Sequence, residues 1–287
     1  MSTLQAITLD QVVDTDRYPL SDPGSTEAQA AVARARHELA TVGCTVLPDF
    51  VRPSLHEVLR QECATLAPQA YFDVETVNVY NIAVDADLPE DHPGRRPLRR
   101  GNAFVARDRI PEGALIARLH GHPVFQRFVA DCFGLPRLHE LADPLSGLVL
   151  NVVRPGMEHP WHFDTNEYTV SMLTQQAEAG GEFEYCPNIR CAEDERFDAV
   201  RDVLDGSAGG ERLPLRPGDL QLFKGRYSLH RVSPVEGAVA RHSAIFAYSE
   251  RPGVIGSVAR TRQLFGRVLP EHLAAEGRAV RSDRLLD

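Results

Sequence analysis

The chain has 287 residues, 43% of them hydrophobic and 25% charged, with a formal net charge of −9. That composition supports a real apolar core, and the acidic balance argues against a nucleic-acid footprint, which needs a basic face. There is no run of about eighteen apolar residues, so no membrane span is expected.

The first residues, MSTLQAITLD, lack the basic start and apolar core of a secretory signal. Five scattered cysteines (Cys44, Cys63, Cys132, Cys186 and Cys191) read as reduced thiols of a cytoplasmic protein. Cys186 and Cys191 have no second pair to complete a zinc site. Lys224 is the only lysine, which leaves a Schiff-base mechanism resting on one residue.

In chain order, residues 1–24 read as an extended lead-in. Thr26-Glu-Ala-Gln29 resembles a capping box and opens a helix to about Val42. Gly43 to Phe50 reads as a short strand ended by Pro48. Pro53 opens a second helix with Leu55, Val58, Leu59, Cys63 and Leu66 on one face. Residues 71–83 alternate loosely, as a strand does. Residues 84–103 are rich in charges and turn formers. They read either as a solvated loop or as a lid presenting Arg99 or Arg100, with Asn102, to an anionic substrate group.

One or two helices are expected over 111–133, broken at Gly121-His-Pro123. Leu145 to Val153 is an apolar run suited to a buried strand. Residues 167–174 alternate as a strand, Gly180-Gly181 turns the chain, and Glu182 to Cys186 returns it. Asp194 to Leu204 reads as an amphipathic helix, and Arg216-Pro-Gly-Asp219 as a turn. Strands are expected at Leu220–Lys224, His230–Val232 and Ser243–Tyr248, then a helical tail. No linker or internal repeat interrupts the chain. The expectation is one domain, mainly β with a helical wrap and a jelly-roll core. Its parts are a wrap and lid over 1–144, the core over 145–250 and the tail over 251–287.

The chemistry gathers around His159-Pro-Trp-His162-Phe-Asp164. On a strand, side chains repeat with period two, so His162 and Asp164 point the same way. Sixty-six residues after Asp164, His230 can supply a third ligand. Two imidazoles and one carboxylate on one face of a metal, with the other face open, is the arrangement of non-haem Fe(II) oxygenases. Arg241 and Ser243 share one strand face further on, a pairing suited to a carboxylate.

The order His-x-Asp, distal His, then Arg-x-Ser resembles the iron(II)/2-oxoglutarate-dependent oxygenase superfamily, over roughly residues 145–250. The resemblance implies a double-stranded β-helix (cupin-like) fold and Fe(II), 2-oxoglutarate and O₂ as cofactor and co-substrates. It implies His162, Asp164 and His230 as iron ligands, with Arg241 and Ser243 on the distal carboxylate of 2-oxoglutarate. The stretches around His159–Asp164, Gly180–Arg190 and Pro217–Pro234 are most similar to the group of oxygenases and radical halogenases acting on free amino acids. Halogenases of that group have Gly or Ala in place of the carboxylate ligand, opening a position for chloride. Asp164 is kept here, so hydroxylation of a small-molecule substrate is expected rather than chlorination.

Softer candidates remain. His159 contacts substrate in the resembling group, or supports a ligand by hydrogen bonding. Trp161 packs beside the site or touches substrate. Asn151 touches the co-substrate or satisfies backbone. Glu182 and Glu184 hold a substrate amine or are solvated hairpin charges. A zinc hydrolase could use the same three ligands, but it leaves Arg241 and Ser243 without a task. A non-enzymatic metal-binding barrel would bind ligand without turnover.

Overall fold

The computed structural model describes residues 8–278 and 283–286. A short helix α1 (Leu9–Val12) precedes the long helix α2 (Thr26–Thr41). The cap of α2 is Ser25, whose Oγ accepts from the Ala28 amide at 3.3 Å, so Thr26 is the first helical residue rather than the cap. Strand β1 (Cys44–Leu47) follows, then a 3₁₀ turn from Pro53 leading into α3 (His56–Leu66). Next come β2 (Glu75–Val77), β3 (Leu98–Arg100) and β4 (Asn102–Val105). Helices α4 (Leu115–His120) and α5 (Pro123–Phe133) flank the expected break, and Gly134 in the left-handed region ends α5. After β5 (His139–Glu140), β6 (Leu148–Val153), β7 (His159–His162) and β8 (Thr169–Gln175) carry the chain through its most apolar stretch.

The remainder alternates short elements: β9 (Ala179–Gly180), β10 (Phe183–Cys186), α6 (Phe197–Leu204), β11 (Glu211–Leu213), β12 (Leu220–Phe223), β13 (Leu229–Val232) and β14 (Val235–Glu236). The long β15 (Arg241–Ser249) and helices α7 (Val258–Phe265) and α8 (Pro270–Ala275) complete it.

The strands form two facing antiparallel sheets, a jelly-roll core. The major sheet runs β1-β12-β8-β15-β6-β4, with β5 on β15; the minor sheet runs β11-β10-β13-β7. Strand parity sorts the side chains of the major sheet. Leu148, Leu150 and Val152 of β6, with Ala244 and Phe246 of β15, pack against helices α2 to α5 in one apolar cluster. The alternate residues Val149, Asn151, Val153, Arg241 and Ser243 face inward. Both faces of β6 are therefore covered, and every one of its residues is buried. Removing a fully buried ring such as Phe246 from the helix-facing cluster costs about 3–5 kcal/mol.

Three expectations are corrected. The segment before residue 145 is not a purely helical wrap, because β1 and β4 are the two outer strands of the major sheet. Strand character over 71–83 is confined to β2 and a single bridge from Tyr71 to Phe104. The strand after Gly180-Gly181 does not return along β8: β10 pairs with β13 and β11 in the opposite sheet. The chain crosses at residues 179–181, where Gly180 has no room for a side chain. A Cβ on Gly180 would lie 2.1 Å from the Pro234 carbonyl oxygen, and both glycines have positive φ.

Candidate metal centre and co-substrate pocket

Strands β7 and β13 lie side by side in the minor sheet, and His162 pairs directly with His230. Asp164 follows β7 by two residues and turns back toward the pair. One ligand atom from each of His162, Asp164 and His230 falls within 4.8 Å of the others. Asp164 Oδ1 is 3.4 Å from His230 Nε2 and 3.7 Å from His162 Nε2.

Each imidazole is oriented from behind by its own strand. His162 Nδ1 donates to the Pro160 carbonyl at 2.7 Å, and His230 Nδ1 donates to the Ser228 carbonyl at 2.9 Å. Both Nε2 atoms are thereby left facing Asp164, the nitrogens a metal would take. Burial, together with His159 and His230 nearby, holds the His162 pKa well below the ordinary histidine value, so the ring is neutral. Phe183 and Phe223 wall His230 at ring separations of 5.6 and 4.8 Å. Burial alone would raise the Asp164 carboxyl, but His230, His162 and the Thr169 hydroxyl outweigh it and hold the group below the carboxylate range. Thr169 Oγ1 donates to Asp164 Oδ2 at 2.6 Å, leaving Oδ1 toward the imidazoles.

His159 reaches the same site by a route that period-two counting misses. The pairs His162↔His230 and Val232↔His159 span three steps on β7 against two on β13, a β-bulge at residues 160–161. The extra residue reverses the parity, so the His159 ring stacks on His162 at 3.7 Å. Its Nε2 is buried without a hydrogen-bond partner, and burial with Arg100 and His230 nearby keeps the ring neutral. The same bulge turns Trp161 away. It lies on the outer face of the minor sheet, with the Arg231 guanidinium 4.8 Å over its ring. The reading of Trp161 as a substrate contact is therefore corrected.

On the facing sheet, Arg241 is 5% exposed and its Nη1 donates to Ser243 Oγ at 3.0 Å. Among the described residues no carboxylate pairs with it. Burial draws its pKa down to about 10, the signature of a guanidinium held in a dry pocket. Asn151 pairs with Ser243 across β6 and β15, and its Oδ1 accepts from Asn102 Nδ2 at 3.0 Å.

The lid reading of residues 84–103 is also corrected. Asn102 is on β4, an integral strand of the major sheet, and its own Oδ1 is buried without a partner. Arg100 is 2% exposed; its Nη2 donates to Glu75 at 2.7 Å and to the Gln263 carbonyl at 3.3 Å, while its Nε is buried and unpartnered. Arg99 is exposed on the short strand paired with β2. The remaining turn is tied down: Asn78 Nδ2 donates to the Gly94 carbonyl at 3.0 Å, and Arg201 of α6 holds Asp91 at 2.9 Å. Glu182 and Glu184 are engaged by Arg212 and Arg231 on the outer face. Asp219 closes its turn, accepting from the Arg216 and Asp49 amides at 2.8 Å.

The donor set fits a ferrous ion: two imidazole nitrogens and one carboxylate oxygen gathered on one side. The buried, anion-hungry Arg241 with Ser243 fits a carboxylate.

A family model described as Halogenase D matches residues 27–260. A 2OG-Fe(II) oxygenase family oxidoreductase from Burkholderia pseudomallei is 18% identical, with TM-score 0.51, over 78% of this chain and 92% of that one. The non-heme alpha ketoglutarate dependent carbocyclase SnoK from nogalamycin biosynthesis is also 18% identical, with TM-score 0.53, over 86% and 96%. The epimerase SnoN of the same biosynthesis is 14% identical, with TM-score 0.53, over 77% and 83%. These structures share the fold. No curated protein matches the chain.

Proposed function

From the premise that the chain belongs to the Halogenase D family, we propose that it is an Fe(II)/2-oxoglutarate-dependent dioxygenase that hydroxylates an unactivated C–H of a free amino acid or similar small zwitterion. The observation that carries the reading is the pairing of a His162–Asp164–His230 cluster with the buried Arg241 on the facing sheet. Bound together, Fe(II), 2-oxoglutarate and O₂ supply an oxidant able to take hydrogen from such a C–H, with succinate and CO₂ as co-products.

The chain's own work is positioning. His162, Asp164 and His230 hold the metal from one side. Arg241 and Ser243 hold the distal carboxylate of the co-substrate, with Asn151 beside them. The two sheets and Phe183 and Phe223 exclude water.

The substrate class is supported by three buried polar atoms without protein partners: Arg100 Nε, Asn102 Oδ1 and His159 Nε2. Buried polar groups are normally hydrogen-bonded, so unmet ones beside a reaction site point to a ligand that completes them. Arg100 Nε offers a donor for a carboxylate, and Asn102 Oδ1 an acceptor for an ammonium; a zwitterion answers both. Halogenation is the second reading, favoured by the family's own description. Asp164 weighs against it, because the carboxylate fills the coordination position a halide would take. Five free thiols support a cytoplasmic setting. Among the described residues, no helix is long and apolar enough to cross a membrane.

An anaerobic screen tests the reading. Amino acids are added to protein loaded with Fe(II) and 2-oxoglutarate, and the iron–oxo acid absorption band is followed. A binding substrate shifts the band; adding O₂ then yields succinate and a product one oxygen heavier. A product carrying chlorine instead would favour the second reading.

A further inference from the structure

We infer that residues 283–286 act as a latch that positions the Asp164 side of the metal site, with Asp283 and Arg226 as positioning residues. Two buried guanidiniums connect this segment to the ligand-bearing stretch 162–165. Arg226, 1% exposed, donates from Nε to Asp283 Oδ2 at 2.8 Å and from Nη2 to Asp283 Oδ1. Its Nη2 also reaches the Leu285 carbonyl at 3.4 Å, and its Nη1 the Thr165 carbonyl at 3.5 Å. Thr165 is the residue after Asp164.

The second guanidinium is Arg190, also 1% exposed. It lies 3.8 Å over the ring of Phe163, the residue between His162 and Asp164. It donates to the Arg226 carbonyl at 2.8 Å, to Glu195 at 2.8 Å and to the Leu286 carbonyl at 3.2 Å. The Leu286 amide in turn donates to Glu195.

The step from Arg226 to the carboxylate has no slack. The Asp164 amide donates to the Gly225 carbonyl at 3.1 Å, and Gly225 packs directly against the Asp164 carboxylate. A displacement of residues 225–226 is therefore transmitted to Asp164. A buried bidentate Arg–carboxylate pair is costly to break on one side only. Asp283 thus sits two contacts away from a ligand that no local motif connects it to.

The inference rests on the metal-site reading, and the test separates the two. Co(II) is titrated into the metal-free protein and into Asp283→Asn and Asp283→Glu variants, following the cobalt absorption. We expect Asp283→Asn to bind Co(II) roughly tenfold or more weakly, the usual size of an effect acting through a ligand's supports. Asp283→Glu should restore most of the affinity.

A second measurement needs no variant. Because coupling is reciprocal, Co(II) should slow amide exchange at Leu285 and Leu286 as well as at residues 164–168 of the natural protein. Unchanged Co(II) affinity in Asp283→Asn, even with a lowered melting temperature, means a merely structural contact and overturns the latch. So does cobalt-insensitive exchange at Leu285 and Leu286. A natural protein that binds no Co(II) removes the metal site itself and the latch with it.

Discussion

Gly225 and Asp164 are packed so closely that a Cβ on residue 225 would lie 2.1 Å from Asp164 Oδ2 and 2.6 Å from Thr169 Oγ1. The φ of Gly225 is not in the left-handed region, so the constraint is steric. A methyl group there must push the carboxylate or break its bond to Thr169. Gly225→Ala is expected to weaken Fe(II) or Co(II) binding at least roughly tenfold with the fold retained. Calorimetric metal titration beside circular dichroism checks it; natural metal affinity in the variant would show that Asp164 has room to move.

Asp164→Gly removes the proposed oxygen ligand while leaving Arg241 and Ser243 untouched. Hydroxylation should fall to background and 2-oxoglutarate should still bind, because the two sites are on facing sheets and share no side chain. Mass spectrometry of products in chloride or bromide then asks whether the family's halogenase chemistry is latent in this chamber. Retained hydroxylation in the variant would remove Asp164 from the ligand set.

Arg241→Ala deletes the guanidinium proposed to grip the co-substrate. A charge-assisted hydrogen bond is worth about 1.5–3 kcal/mol, so the 2-oxoglutarate KM should rise roughly 10- to 100-fold. Arg241→Lys should fall between, since an ammonium keeps the charge and loses the fork. Succinate formation against 2-oxoglutarate concentration is the assay. An unchanged KM would separate Arg241 from the co-substrate.

His242, next to Arg241 but on the helix-facing side, gives a pH prediction. Burial, aided by the Arg241 and Arg60 charges, lowers its pKa to about 4. In the unfolded chain it titrates near the ordinary value of about 6.5. Between these values the unfolded state holds more protons, so stability rises with pH across that window. It is fully present above about 6.5 and is lost as pH falls toward 4, amounting to about 3 kcal/mol at most. Urea unfolding at pH 5 and pH 7 should show this slope in the natural protein and a shallower one in His242→Gln. Equal slopes would assign the acid sensitivity elsewhere.

The chemistry of the site was readable from local spacing because its parts are local. His162 and Asp164 are near neighbours, although Asp164 lies past the end of β7 and reaches the site by a turn of the chain, whereas Arg241 and Ser243 share a strand and period two brings that pair together. Residue type alone does not single out His230 among eleven histidines; the order of the motifs does. What spacing could not convey was pairing between distant segments. The bulge that swings His159 onto the site and Trp161 off it exists only because β7 meets β13 out of step. The run of charges before Asn102 looked like one loop, although its end is a strand of the major sheet. That pairing partner, β6, lies some fifty residues away in sequence (Asn102 to Val153). Arg190, Arg226 and Asp283 carry no periodic signal at all. A charged residue in a polar stretch reads as solvated until a fold buries it.

The central claim is convergence: three side chains on one metal, facing a pocket that holds 2-oxoglutarate. Anaerobic addition of Fe(II) and 2-oxoglutarate to the natural protein should produce the iron–oxo acid absorption band. His162→Ala and His230→Ala should each abolish or strongly diminish it, and Asp164→Ala should weaken or shift it, with the protein folded in all three. A band that persists unchanged in any one of the three, or never appears in the natural protein, would contradict the account.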